Sequence, residues 1–536
     1  MKDFANEKLT RRSLLTAIGL AGGTAAMYDA MLSMGYAANS DFTGPISLQG
    51  DAKGASVVIL GAGIAGMVAA HEMRKAGYKV KILEFNNRPG GRNWSLHSGD
   101  SYTDIGGTTQ KVDFAPGQYF NPGPWRLPYH HQGILHYCKL LNVPLESFVM
   151  YNNSAYSHSA TAFGGKPKRY REVAADYEGH ISELLAKATS QNKLDDLLDK
   201  DEKDGALQML KGWGGLDKNY EYRKGEIASN FRGYDIPPGG GLQAGPVDSD
   251  IMPRKELFNS TLWNALFFPK QWDFQGQLFQ PVGGMGQIGK AFGKLLDGAI
   301  QYNCKVTNIN QDDKGVTVTY VDTIAGGAPK TEKADWCVNT IPVSILSQIP
   351  MNVGPKMRTA IDSLPYLPAT KVGLQFKRRF WEEDENIYGG NTYTDQPIFN
   401  ISYPSHGFFE KGPAVLLGAY VYRVGIIGMK SYNFEALSAQ EQIEAALEQG
   451  SKIHPQYRAE FMNGVAVAWH RVPWTLGCSG LWNDALREKN YENMCAVDNR
   501  IVLAGEHCSR LMAWQEGSVL SALDAVTRLH KRAMSA

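Results

Sequence analysis

Hydrophobic positions along the chain gather into short β-branched runs separated by helix-like stretches. Ser56-Val57-Val58-Ile59-Leu60 is an uninterrupted apolar run of strand length, the pattern of a strand buried on both faces. Gly61-Ala62-Gly63-Ile64-Ala65-Gly66 follows, then Met67 to Ala76 has helical composition and Gly77 stops it. A second run, Lys79-Val80-Lys81-Ile82-Leu83, ends at Glu84. Strand, glycine turn, helix and strand in that order predict a βαβ unit. Near the other end, Arg500 to Ala504 reads as an apolar strand running into Gly505-Glu506-His507, and Val519 to Leu529 as a helix. Between them Val415 to Val421 is an apolar strand, and Tyr234 to Gly241, with two prolines and three glycines, reads as a loop or lid. The first forty residues differ from all of this. Arg11-Arg12 precede an uncharged Ala/Gly-rich run, Ser13 to Tyr28, that Asp29 ends.

Composition narrows the class. A chain of 536 residues predicts several units at about 150 residues each. Lys and Arg total 55 against 54 Asp and Glu, a net charge of +1, which argues against a nucleic-acid partner. With 43% hydrophobic and 20% charged residues, the chain falls in the ordinary globular range. The six cysteines form no C-x-x-C pair, so no metal site or disulfide framework is read from them. The run after Arg11-Arg12 is short of the roughly 20 residues that span a bilayer. With small residues at Gly35, Ala37 and Ala38 it resembles a cleavable twin-arginine export signal. The expected location is therefore periplasmic or secreted, with the export machinery as a partner. A basic cytoplasmic N-terminal helix is the alternative.

The glycine turn carries the first chemistry. Gly61 permits a tight turn, Gly63 lets backbone approach a pyrophosphate, and Gly66 lets helix and strand pack closely. The helix start, Ile64 and Ala65, offers free N–H groups to phosphate. Glu84, 18 residues beyond Gly66, stands where a ribose acceptor is expected. Downstream, Arg88-Pro89-Gly90-Gly91-Arg92 resembles the R-x-G-G-R element of the flavin amine oxidase family, and Asp104-Ile105-Gly106-Gly107 its D-x-G-G segment. Further segments resemble that family in order: Pro281 to Met285, Val306 with its strand, Val338 to Pro342, Trp469 to Gly477, Gly505-Glu506, and Trp514 to Ser518. The resemblance covers most of residues 56–536, weakest between about 150 and 265. It implies FAD as cofactor. Arg92, Gly107, Trp125, Val306, Trp469, Trp474, Gly505, Glu506 and Trp514 then join the glycine turn in contacting it, and Lys371 holds a water near flavin N5.

Within the family, most similar are the bacterial L-amino-acid oxidases. An amino acid brings a carboxylate into an apolar pocket, and an Arg fork is the expected partner. Gly123-Pro124-Trp125-Arg126-Leu127-Pro128 resembles their G-P-M-R-x-P segment, whose Arg pairs with the substrate carboxylate. Here Trp125 replaces the Met. Tyr420 matches the tyrosine that donates to the same carboxylate. Trp514, Ala513 and Ser479 line the substrate side, with Ser479 where amine oxidases often carry a second aromatic wall. Cys478 falls where monoamine oxidases link flavin covalently. Other members lack Cys there and bind FAD without a bond, so non-covalent FAD is expected, with a Cys478 link as the minority alternative.

The resemblance implies an α/β architecture with a discontinuous Rossmann-like FAD domain (56–125, 270–345 and 485–536). A mixed-sheet substrate domain (346–484) and a helical or lid insertion (130–265) follow from it. The expected reaction is hydride transfer from Cα of an L-amino acid, apolar or aromatic, giving a 2-oxo acid, ammonia and, with O2, H2O2. A monooxygenase giving an amide and an amine or polyamine oxidase are the alternatives. A homo-oligomer stays open. None of His130, His131, His158, His470 or His507 sits in a motif that demands catalysis.

Overall fold

The computed structural model describes residues 40, 42–243, 245–422 and 432–535. The twin arginines lie outside them. The strand Ser56–Leu60 is central in a six-stranded sheet, between Lys79–Leu83 and Trp336–Asn339. Ile300–Gln301 forms one edge, and Ile501–Leu503 with Val497–Asp498 the other. Pairing is parallel except at that last strand. A sheet covered on both faces needs strands apolar at every position. Val57 to Leu60 meet that need, each 1% exposed or less.

The helix Ile64–Lys75 packs between this sheet and the C-terminal helix Gln515–Met534. It begins three residues before the composition suggests, because Gly66 sits inside its first turn. A Cβ on Gly66 would lie 2.0 Å from the Gly61 carbonyl oxygen, so only glycine lets the helix start this close to the strand. The C-terminal helix likewise starts at Gln515 and not Val519. Its first turn carries polar residues that the apolar period passes over, although Gln515, Glu516 and Gly517 are all buried.

A second sheet of seven strands runs Lys168–Arg169, Tyr156–His158, Asn391–Thr394, Asn400–Ser402, Ala414–Tyr422, Ala369–Phe376, Phe461–Ala468. Ala369–Phe376 is buried at all eight positions. Two of the seven strands come from the 130–265 segment, which is therefore not purely a helical insertion. Strands of two or three residues are too short to show a period of two. The rest of that segment holds the helices Tyr170–Ser190, Lys200–Trp213 and Glu226–Arg232. Tyr234–Ile236, read from sequence as the start of a loop, pairs with Val247–Asp248 in a two-stranded ribbon. Among the described residues no helix is long and apolar enough to cross a membrane.

Candidate active site

A cavity of about 780 Å³ lies where the two sheets meet, lined from both ends of the chain and from its middle. At one end the glycine turn forms its wall. Gly61 has φ +100°, and its N–H donates to the Leu83 carbonyl at 2.8 Å. The space beyond Gly63 is open to 4 Å where a Cβ would stand. The helix behind it starts at Gly63 with no side-chain cap, leaving N–H groups toward the cavity. Glu84 is buried and accepts from Ala62 N at 2.6 Å and Asn86 N at 2.8 Å. The uncapped N-terminus of Gln515–Met534 meets the opposite wall beside Trp514 and Ala513. A cradle that a side chain would fill, and two uncapped helix starts on one cavity, fit a dinucleotide with a polar ring system. Glycines 61 and 63, the helix start and Glu84 would hold the pyrophosphate and ribose. The Gln515 helix end would face the ring.

Between these ends, Arg92 Nη1 donates to Glu506 Oε1 at 2.8 Å and to the Cys478 carbonyl at 2.6 Å. Tyr366 donates to the same Glu506 oxygen at 2.9 Å. Burial raises the Glu506 pKa and the Arg92 charge lowers it, with a net shift down. Val306, Trp469, Trp474, Gly505 and Glu506 all line the cavity. Trp474 stacks on Phe85 at 4.9 Å, and Trp469 is fixed by an indole bond to the Pro122 carbonyl at 2.7 Å. Gly107 does not line it. The Asp104–Gly107 segment is the exposed turn of the hairpin Ser101–Thr103/Thr109–Lys111, with Asp104 Oδ1 accepting from Thr108 N at 3.0 Å. Its glycine, at φ +83°, serves that turn.

The far side of the cavity is aromatic. Lys371 and Tyr420 lie directly opposite each other on neighbouring strands. The Lys371 ammonium stands 4.5 Å from the Tyr420 ring centre and 4.7 Å from that of Trp125, and donates to the Gly123 carbonyl. Burial, with the Arg126 charge adding to it, pushes Lys371 down to about 7. Arg126 is 7% exposed, 4.3 Å over the Phe274 ring, and its Nε has no hydrogen-bond partner among the described residues. Trp125, Ser479, Ala513 and Trp514 line the same space.

The segment 267–274 also reaches the cavity, and sequence reasoning passed over it. Its Asp273 accepts from His130 at 2.9 Å and lies 3.4 Å from His131. Burial opposes ionisation of Asp273, but the two imidazoles hold it low, at about 2. Trp272-Asp273-Phe274, two aromatics around an acid just before an apolar strand, was the available signal.

Known proteins are similar to this chain. The L-amino-acid oxidase of Siganus canaliculatus is 27% identical over 89% of this chain and 86% of its own. That of Naja atra is 25% identical over 89% and 88%. In structure, cyclohexylamine oxidase from Brevibacterium oxydans IH-35A matches with a TM-score of 0.58 at 15% identity, over 89% of this chain and 99% of that one. Wild-type putrescine oxidase bound to putrescine matches at 0.53 and 17%, over 90% and 98%. Both share the fold. The model of the flavin containing amine oxidoreductases matches residues 64–530, from the helix behind the glycine turn to the C-terminal helix, and the chain belongs to that family.

Proposed function

We propose that the protein oxidises L-amino acids, with apolar or aromatic side chains, to 2-oxo acids, ammonia and H2O2 with bound FAD. One observation carries the reading. Arg126 is buried in the wall of the cavity that also holds the glycine cradle, against aromatic rings, with Nε unpartnered among the described residues. Burial outweighs the pull of nearby Asp273 on this cation, which is costly, and a substrate carboxylate supplies a direct partner. The relatives named L-amino-acid oxidases support the same reading.

In this mechanism Arg126 takes the carboxylate, and Tyr420, on the strand beside Lys371, donates a second bond to it. Two anchors on rigid strands and loops fix the α-carbon in one orientation. Trp514, Ala513 and Ser479 bound the α-carbon, while Trp125 and Phe274 exclude water from the charges. Lys371, with N–H groups donated to the Gly123 and Asn121 carbonyls, keeps a third to hold a water and, near pH 7, to hold or release a proton. Bound FAD would supply the acceptor for the Cα hydride and, on reoxidation by O2, the route to H2O2.

Peroxide release by flavin-loaded protein with L-phenylalanine, D-phenylalanine and phenethylamine tests this. Turnover of the L-amino acid alone is expected. Turnover of the amine would replace the reading with an amine oxidase, and an amide product in place of a 2-oxo acid would make it a monooxygenase. FAD is held without a covalent bond in this proposal; burial raises the Cys478 thiol pKa against the opposing Arg92 charge, which disfavours the thiolate. Acid precipitation is expected to leave a yellow supernatant and a colourless pellet. Export by the twin-arginine route is proposed from Arg11-Arg12 and the uncharged run after them. A double Arg11→Lys, Arg12→Lys variant is expected to stay in the cytoplasm.

A further inference from the structure

Behind the aromatic wall, two adjacent histidines and one acid converge on a point. His130 Nε2 lies 2.9 Å and His131 Nε2 3.4 Å from the same carboxylate oxygen of Asp273. One ligand atom from each residue lies within 4.8 Å of the others. The rings stand nearly perpendicular, 4.7 Å between centres and 84° between planes. His131 is 1% exposed, and its Nε2 has no hydrogen-bond partner among the described residues. At 3.4 Å the contact lowers the Asp273 pKa but misses good hydrogen-bond geometry, which leaves this buried nitrogen poorly satisfied. Each ring packs on a tryptophan. His130 packs on Trp272 at 4.8 Å and His131 edge-on against Trp514 at 4.9 Å. Asp273 lines the cavity, which gives an entry path and room for a further ligand.

We propose that His130, His131 and Asp273 form a binding site for a divalent first-row transition-metal ion, zinc being the probe of choice. Ligands about 2.0–2.1 Å from a tetrahedral zinc stand about 3.3 Å from one another. The 2.9 and 3.4 Å separations to Asp273 bracket that spacing, and the two imidazole nitrogens, within 4.8 Å of each other, close around the ion by ring rotation. Two imidazoles with one carboxylate select zinc, nickel or copper over the hard, oxygen-seeking magnesium and calcium. Three protein ligands leave a position for water on the cavity side. The bound ion takes up the unpartnered His131 nitrogen and ties the loop before the helix Gln132–Leu140 to the 267–274 segment. The site stands apart from the oxidase reading, because its occupancy is read without turnover.

The test uses the full-length, flavin-loaded protein stripped with a chelator. Calorimetric titration with ZnCl2 is expected to give one ion per chain, not displaced by millimolar Mg2+. His131→Gln and Asp273→Asn are each expected to weaken it on the order of 100-fold while the flavin spectrum stays native. Absence of stoichiometric uptake, or equal affinity in both variants, overturns the proposal and leaves a hydrogen-bonded His–Asp cluster. Cobalt added to unmutated protein gives a readout independent of variant folding. Intense visible bands of a low-coordinate N/O site, bleached by one equivalent of zinc, are expected. Only the weak spectrum of aqueous cobalt overturns it.

Discussion

Arg126 has its guanidinium carbon 5.2 Å from the Trp514 ring centre and 5.3 Å from that of Trp125, besides the closer Phe274. Ring faces attract a cation, but by only about 0.5–2 kcal/mol each, less than full hydration supplies. Burial accordingly lowers its pKa. Arg126→Met therefore has two opposite effects. The melting temperature of the substrate-free protein is expected to rise, because a desolvated cation is gone. The KM for an L-amino acid is expected to rise about 100- to 1,000-fold, the usual cost of removing one partner of a buried charged pair, about 3–4 kcal/mol. Calorimetry and steady-state kinetics on one preparation check both, and a fall in melting temperature would reduce Arg126 to a packing residue. Lys371 carries a related prediction about pH. With its folded pKa near 7 and an unfolded value near 10.5, the folded state sheds its proton first as pH rises. Between about 7 and 10.5 the unfolded state binds more protons, so this group makes stability increase with pH. The cost of burying its charge is then full below pH 7. Lys371→Met is expected to melt higher than the parent at pH 6, with the gap closing by pH 10. The same variant is expected to lose a kinetic limb near pH 7 and to slow flavin reoxidation by about 100-fold, as loss of one preorganised charge does. Stopped-flow reoxidation against pH reads that.

Two helices meet at the site through a single carboxylate. Glu516, in the first turn of Gln515–Met534, accepts from Gly133 N at 2.8 Å and Ile134 N at 2.7 Å. Those are free N–H groups at the start of Gln132–Leu140, a helix whose own cap residue makes no side-chain bond. One acid thus caps a neighbouring helix and sets the distance between the loop that carries Arg126 and the helix end beside Trp514. Packing enforces it, since a Cβ on Gly133 would lie 2.9 Å from Glu516 Oε1. Glu516→Gln keeps the shape and loses one acceptor and the charge. Hydrogen bonds to charged groups contribute about 1.5–3 kcal/mol, so a loss of about 2–3 kcal/mol is expected in urea unfolding. If the element argument holds, KM rises as well, although Glu516 is not placed against substrate. Unchanged KM alongside reduced stability would confine its role to capping. Such element-level ties explain what sequence could and could not carry. The glycine turn was legible because its requirement is local: Gly66 must lack a Cβ, and six residues state it. The C-terminal Gly505-Glu506 and Trp514 segments were legible for the same reason. Gly107 was misread because a D-x-G-G segment also writes a tight hairpin turn, with the Asp side chain closing it. The Asp273 contact with His130 was out of reach, since 143 residues separate partners that only the fold brings together.

The cavity is assembled from pieces of chain that no single folding unit owns. The glycine turn and Arg126 come from the first quarter of the described chain, Val306 and the 267–274 segment from the middle, and Glu506 with Trp514 from the last forty residues. The central sheet repeats this order, pairing Ser56–Leu60 with Trp336–Asn339 and that strand with Ile501–Leu503. The discontinuous layout expected from the motifs therefore has a thermodynamic consequence. A ligand touching all the pieces binds only when all are folded together, so its affinity adds to the stability of the whole chain and not of one part. At free FAD about 1,000 times its dissociation constant, that contribution is about 4 kcal/mol. Unfolding entropy of about 2.1 cal/mol/K per residue gives roughly 1 kcal/mol/K for a chain this long. Saturating FAD is expected to raise the melting temperature of apoprotein by about 4 °C, in one cooperative transition. Scanning calorimetry of apo- and reconstituted protein decides it. Two separate transitions, only one of them shifted by FAD, would mean that the seven-stranded sheet folds independently of the glycine cradle, and that Lys371 and Tyr420 can be in place before the flavin arrives.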